Sequence, residues 1–443
     1  MSLLIHNADL TTATGRNRGW VYVDGGVIVD SGSGDFPAEL TATEVVDGCG
    51  AMLIAGLIDT HVHFREPGLE YKATVLSESG AAAAGGITAV FDMPNTNPAT
   101  TTVEALDAKM RSVAQHGSYT RYEALLGLVE GAPAELKKLD LGKLHAVKLF
   151  LGTSTGAMSS PKGRELEEVF RICADASLPI IVHAEDNSII AANTAAALAR
   201  YGSAEAVPVS MHGKIRSREA CISSSARAVE LAHRFGTRLH IAHVSTAEEV
   251  TELLSAGTTS GKLVTAETTP LYLDPVLAEE NMRTSLHKVN PAIKTPRDAE
   301  TLRKALFTGA IDTIGSDHAP HLKFEKELPG IKAMSGAPSV QFALPLMLTY
   351  LPPEKVVEKM TVGPATVFSI KCNTDFAPGR SADMALVREV PEYVIGDADV
   401  LSLCAWTPFA GCTLRHRVER TWVSGKETWC EGKLASLVDS IKI

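Results

Sequence analysis

Between residues 52 and 316 the chain repeats one pattern: a short apolar or β-branched run, then a segment with helical spacing. The runs fall at 52–58, 87–92, 122–128, 146–151, 179–183, 239–244, 263–267 and 313–316. Helical spacing occupies 72–84, 103–115, 165–176, 219–235 and 247–255. Strands separated by helix-length connections pair in parallel, because only a long crossover brings the chain back to the same edge of the sheet. Eight such strands are the number that closes a (β/α)8 barrel. An open doubly wound sheet would need a glycine-rich phosphate loop after an early strand, and the sequence has none.

The two ends of the chain differ from this middle. Residues 3–10, 20–23 and 27–29 read as strands, broken by Gly15, Asp24-Gly25-Gly26 and Ser31-Gly32-Ser33-Gly34. Residues 384–387 and 417–423 read the same way, with Ser424-Gly425-Lys426 as a turn. Two β-rich ends around a barrel predict one small sheet domain built from both termini. Its parts are residues 1–51 and 371–443, flanking a barrel over 52–370. Of the 443 residues, 45% are hydrophobic and 21% charged, which excludes a mostly disordered chain. The net charge of −10, with no basic block, argues against nucleic acid or an anionic membrane as partner. The richest apolar stretch, 342–351, is too short to span a bilayer. Met1-Ser2-Leu3 lacks a basic signal-peptide region, and the seven cysteines contain no CxxC pair. Both features lead to the expectation of reduced thiols in the cytoplasm.

Polar residues gather where the strands end. The first run leads into Asp59-Thr60-His61-Val62-His63-Phe64-Arg65, and the second is followed by Asn95. The fourth contains Lys148, the fifth ends in His183 and the sixth reaches His243. The eighth enters Gly315-Ser316-Asp317-His318-Ala319-Pro320-His321. In a barrel these ends converge on one mouth, where active sites lie. His61 and His63, two apart on a strand, share a face, and paired imidazoles suit zinc or a similar transition metal. Two hydrogen-bonded histidines in a polar loop would explain that pair alone, but not with His183, His243 and Asp317 at the same mouth. By strand parity His240 and His243 face opposite sides, which makes His243 the ligand and packs His240 against a helix. Lys148, inside an apolar strand, is either paired with a buried carboxylate or modified. Asp317 is a metal ligand and proton carrier, or else a helix cap. A polar loop at 152–156 is either a lid over the site or an ordinary connection.

These motifs, together with Asp92-Met93-Pro94-Asn95-Thr96, Val147-Lys148-Leu149-Phe150, His183-Ala184-Glu185 and Ile241-Ala242-His243-Val244-Ser245, resemble the amidohydrolase superfamily and, within it, the dihydroorotases. The resemblance runs nearly end to end, through Trp406-Thr407-Pro408-Phe409. It implies an α/β fold, a distorted (β/α)8 TIM barrel with a small β-sandwich domain formed by both chain ends. It implies two Zn2+ per subunit: His61 and His63 on one, His183 and His243 on the other, a carboxylated Lys148 bridging both, and Asp317 on the first. It implies reversible cyclisation of N-carbamoyl-L-aspartate to L-dihydroorotate, a step of pyrimidine synthesis, and leaves a homodimer open. Arg65, Asn95 and His321 match positions that grip the substrate carboxylate, Asn290 a substrate-contacting asparagine, and Gly336 a segment whose backbone meets the ring. Leu271 and Ser339 depart from the pattern, where relatives often carry histidine and glycine.

Two metal ions side by side need a shared anion, which four neutral histidines cannot supply. A lysine made neutral by burial can react with carbon dioxide to give a carbamate with one oxygen for each metal. Two other readings stand beside this one. Allantoinases, hydantoinases and dihydropyrimidinases resemble the same barrel, but their substrates lack the ring carboxylate that Arg65 and His321 would hold. Non-catalytic dihydroorotase-like subunits typically lose metal ligands, whereas this sequence retains all six candidates.

Overall fold

A computed structural model describes residues 2–152, 158–279 and 284–443. Eight barrel strands are present: Leu57–Val62, Ile87–Asp92, Arg121–Ala124 continued by Leu126–Leu128, Val147–Phe150, Ile180–His183, Leu239–Ile241, Val264–Thr268 and Thr313–Ile314. All their pairings are parallel. The ladder breaks at Leu125, so hydrogen bonding divides into a three-stranded and a six-stranded sheet. The barrel closes where the His63 amide donates to the His318 carbonyl at 2.7 Å. That break, together with register shifts in the first strand, distorts the barrel.

Several of the helices between the strands begin where a side chain satisfies their free amides. Thr74 caps Val75–Ala84, Thr102 caps Val103–His116, and Thr295 caps Pro296–Thr308 in a reciprocal box with Asp298. Their apolar faces and the outer faces of the strands form the main core. A second cluster fills the barrel's interior: Ile58, Ala89, Phe91, Ala146 and Ile181, with Phe368 edge-on to Phe91 at 5.4 Å.

Both chain ends meet in one nine-stranded sheet folded around its own core of Leu3, Ile5, Val21, Ile28, Met384 and Trp422. The 52–58 run proves to be two strands. Met52–Ala55 pairs with Ser2–Thr12 and Met384–Val394 in this sheet, and only Leu57–Val62 enters the barrel. Gly56 turns the chain between them. It has φ +22, and a Cβ there would sit 2.9 Å from the Asn373 carbonyl. The expected Ser31–Gly34 break is also partly strand, since Val27–Ser33 continues to pair with Gly15–Asp24. No described helix is long and apolar enough to cross a membrane, and no disulfide joins the cysteines.

Candidate active site

The mouth of the barrel brings together His61, His63, Lys148, His183, His243 and Asp317, and all six are buried. Asp317 Oδ1 lies 3.4 Å from His61 Nε2 and 3.2 Å from His63 Nε2. These three residues each turn one ligand atom into a single group that a metal ion could occupy. The far nitrogens are held from behind: His61 Nδ1 by Glu267 at 2.7 Å and His63 Nδ1 by the Asn95 side-chain oxygen at 2.7 Å. Such partners fix the tautomer that leaves Nε2 free for a metal. Asn95, expected at the substrate, is therefore seen orienting a histidine.

Across the mouth, His183 Nδ1 and His243 Nε2 face each other at 2.8 Å. His183 Nε2 lies 3.1 Å from Glu185 Oε2, and Glu185 is paired with Arg216. Burial alone would raise the Glu185 pKa, but Arg216 and His183 outweigh it and hold the carboxyl down at about 2. The Lys148 amine is fully buried with no hydrogen-bond partner among the described residues. Burial pulls its pKa down to about 8 against the opposing pull of Glu267 and Asp317. Burial raises Asp317, with His61 and Lys148 acting against it.

The backbone at this mouth is unusual. Arg65, His243 and Asp317 have φ of +70, +40 and +48, a region that side chains other than glycine rarely adopt. That geometry corrects the parity argument for His240. The sixth strand ends at Ile241, so alternation does not extend to His243. His240 pairs in register with Ile181 and Thr265, and its ring reaches Thr265, Thr313 and Phe368 inside the barrel.

A second group lies beside the first. Arg65 Nε donates to the Pro320 carbonyl at 3.0 Å, and its Nη2 lies 3.2 Å from His321 Nε2. His321 Nδ1 is 3.0 Å from Lys72 Nζ. Gly336 is required where it stands: a Cβ there would lie 2.7 Å from the Ala319 carbonyl and 3.0 Å from the His321 ring, at φ +134. Lys326 donates to the Lys288, Met334 and Gly336 carbonyls at 2.7, 2.9 and 2.7 Å, which ties that segment to the Asn290 loop. Asn290 Oδ1 is buried without a partner among the described residues. A cavity of about 370 Å3 opens there, lined by Asn290, Lys288, Arg216, His212 and Ser335. Residues 153–156 of the polar loop at 152–156 lie outside the described residues.

Sequence reasoning missed Glu267, Glu185, Arg216, Lys72 and Glu325. Glu267 had a signal, a carboxylate near the end of the seventh strand.

The amidohydrolase family model matches residues 52–428. Among curated proteins, the dihydroorotase of Staphylococcus epidermidis (strain RP62A) is 34% identical over 412 residues, covering 88% of this chain and 90% of the relative. That of Halobacterium salinarum is 35% identical over 365 residues, covering 81% and 82%. The chain belongs to the amidohydrolase family, among its dihydroorotases. Of solved structures, the L-hydantoinase (dihydropyrimidinase) from Arthrobacter aurescens superposes on this amidohydrolase with a TM-score of 0.90 at 27% identity, covering 98% of this chain and 97% of that one. A dihydropyrimidinase from Brevibacillus agri, at 22% identity and TM-score 0.85, shares the fold. In this amidohydrolase the match takes in both the barrel and the strands from the C-terminal end.

Proposed function

We propose that the chain interconverts N-carbamoyl-L-aspartate and L-dihydroorotate. The observation that carries this reading is the convergence of Arg65 and His321 beside the His61–His63–Asp317 group. A ring carboxylate and a ring amide are the two features of dihydroorotate that such a pair of sites would hold. The dihydroorotases among the relatives agree with it. The structural likeness to a hydantoinase favours a second reading, hydrolysis of a cyclic amide without a carboxylate. One assay separates them: ring opening of dihydroorotate compared with dihydrouracil, hydantoin and allantoin. Preference for any of the last three would overturn the first reading.

The donor set fits two metal ions. His61, His63 and Asp317 would hold one, and His183 and His243, whose facing nitrogens have only each other among the described residues, would hold the second. Lys148, a buried amine without a hydrogen-bond partner among the described residues and within the field of Glu267 and Asp317, would be the residue to carry a carboxylate to the metals. Bound Zn2+ would polarise the amide carbonyl and make water a nucleophile at neutral pH. The protein's own groups do the rest. Arg65, with its planar donor fork, orients the carboxylate. Asp317 takes a proton from the attacking water and returns it to the ring nitrogen that leaves. Asn290 and the backbone at Gly336 border the ring.

The organisation we infer is a small β domain from residues 1–55 and 371–443 around a barrel over 57–370, since the Met52–Ala55 strand, expected in the barrel, pairs in the small sheet.

A further inference from the structure

His321 has groups on both ring nitrogens that cannot all be satisfied by one protonation state. Nδ1 faces Lys72 Nζ at 3.0 Å. Nε2 faces the Ser335 carbonyl at 3.1 Å and Arg65 Nη2 at 3.2 Å. An ammonium and a guanidinium only donate, and a carbonyl only accepts. The ring is buried beside two cations, and both features keep it neutral. A neutral imidazole has one N–H and one lone pair.

The Lys72 ammonium is itself fixed. Glu325 Oε1 lies 2.8 Å from it, Tyr71 Oη approaches the same oxygen at 3.4 Å, and the Leu322 amide holds Oε2 at 2.9 Å. Glu325 Oε2 is 3.7 Å from His321 Nδ1, too far to accept a proton from it. Nδ1 is therefore left as the acceptor for Lys72, and the proton sits on Nε2, where Ser335 can accept it. With Nε2 protonated, His321 has no lone pair for Arg65. Two donors then stand 3.2 Å apart, an arrangement that asks for an anionic oxygen set to one side of both, sharing the Nε2–H with the Ser335 carbonyl.

We propose that Lys72, anchored by Glu325, is a positioning residue: it locks His321 in the Nε2–H tautomer, so that His321 and Arg65 together donate to the substrate carboxylate. The pair is absent from the six candidate metal ligands and touches none of them in the described contacts. The proposal rests on the dihydroorotate reading for the identity of the anion, but not for the tautomer. It makes the discrimination between ring substrates with and without a carboxylate depend on a lysine that does not itself reach the substrate.

The test has two readouts. In 15N-histidine-labelled protein the ring signals of His321 are those lost in His321→Gln. In the unsubstituted protein they should show a protonated Nε2 and a bare Nδ1. In Lys72→Met the proton should move to Nδ1 or exchange between the two nitrogens. Lys72→Gln, whose amide can still donate, should keep the original pattern. In steady state, Lys72→Met should raise KM for dihydroorotate about tenfold or more and change kcat by less than about threefold, with Lys72→Gln recovering most of the loss. Should Lys72→Met fail to fold, Glu325→Ala, which releases the lysine, carries the same test at a more exposed position. A protonated Nδ1 in the unsubstituted protein, or an unchanged tautomer in Lys72→Met, overturns the lock. A changed tautomer with unchanged KM overturns its link to the carboxylate. If the unsubstituted protein does not open dihydroorotate, the proposed activity falls, and the ring signals still decide the tautomer.

Discussion

The two ends of the same barrel are built on opposite plans. At the floor, Ile58, Ala89, Phe91, Ala146 and Ile181 point inward in regular alternation, and Phe368 closes them off. At the mouth, the same strands stop and the backbone turns left-handed at Arg65, His243 and Asp317. Buried histidines, carboxylates and cations replace the apolar layer there. Strained residues persist only where their surroundings over-determine them. The difference teaches that the floor provides the rigidity and the mouth uses it. Substitutions at the mouth should change rate without unfolding the protein, and substitutions at the floor should do the reverse.

The sharpest way to break that contrast is Asp317→Asn. The amide keeps the volume but cannot take a proton, so turnover in both directions should fall at least a thousandfold, about 4 kcal/mol of barrier. The melting temperature should barely move, and metal content should fall only in part, since five other candidate ligands remain. An active Asn variant would place the proton carrier elsewhere. Lys148→Ala should also be nearly inactive, with zinc content reduced. Short carboxylic acids added to the buffer should partly restore both, since they can replace a carbamate. Mass spectrometry of gently handled protein, or density around the lysine, would show the added carboxyl directly. An unmodified lysine beside two bound metals would refute the bridge.

The floor should respond in the other currency. Phe368 fills the end of the barrel against Phe91 and His240 and is about 1% exposed. Phe368→Ala should cost about 3–5 kcal/mol of stability through lost burial and the cavity left behind. The folded fraction should retain its kcat and zinc content. Calorimetry and a zinc count on the same sample check both parts. A variant of normal stability but low activity would show that floor and mouth are coupled.

The two ends also differed in how far they could be read from sequence. Apolar runs marked all eight barrel strands, because a parallel strand buried on both faces needs such a run. The same property hid the division at Gly56, where two apolar strands of different sheets follow one another. At the mouth, residue types in strand-end motifs pointed to the His61–His63–Asp317 group that could hold a metal. Periodicity failed for His240, because alternation holds only while the strand does, and the strand ends at Ile241. Glu267 was legible by the strand-end criterion. Lys72 and Glu325 were not, since their pairing depends on a loop and the short helix Lys323–Lys326, far apart in sequence, that meet only in the fold.

Arg65 gives the smallest effect and the finest test, because it belongs to the mouth without belonging to the metal group. Its guanidinium is buried, and burial brings its pKa down to about 10, so it remains charged at neutral pH. Holding a buried cation costs energy unless an anion offsets it. Its hydrogen-bond partners Pro320 and His321 supply no carboxylate, and Asp317, Asp92 and Glu325 offset its charge only in part, without a hydrogen bond to it among the described residues. A substrate carboxylate would supply that anion during each turnover. Arg65→Met keeps much of the length and removes the charge and the donors. It should lower kcat/KM for dihydroorotate at least tenfold, about 1.4 kcal/mol, chiefly through KM. Any slow turnover of dihydrouracil, the same ring without the carboxylate, should be unchanged or improved. Equal losses on both substrates would mean that Arg65 supports the loop rather than the substrate. Unchanged turnover of dihydroorotate would remove the observation on which the choice between dihydroorotase and hydantoinase rests.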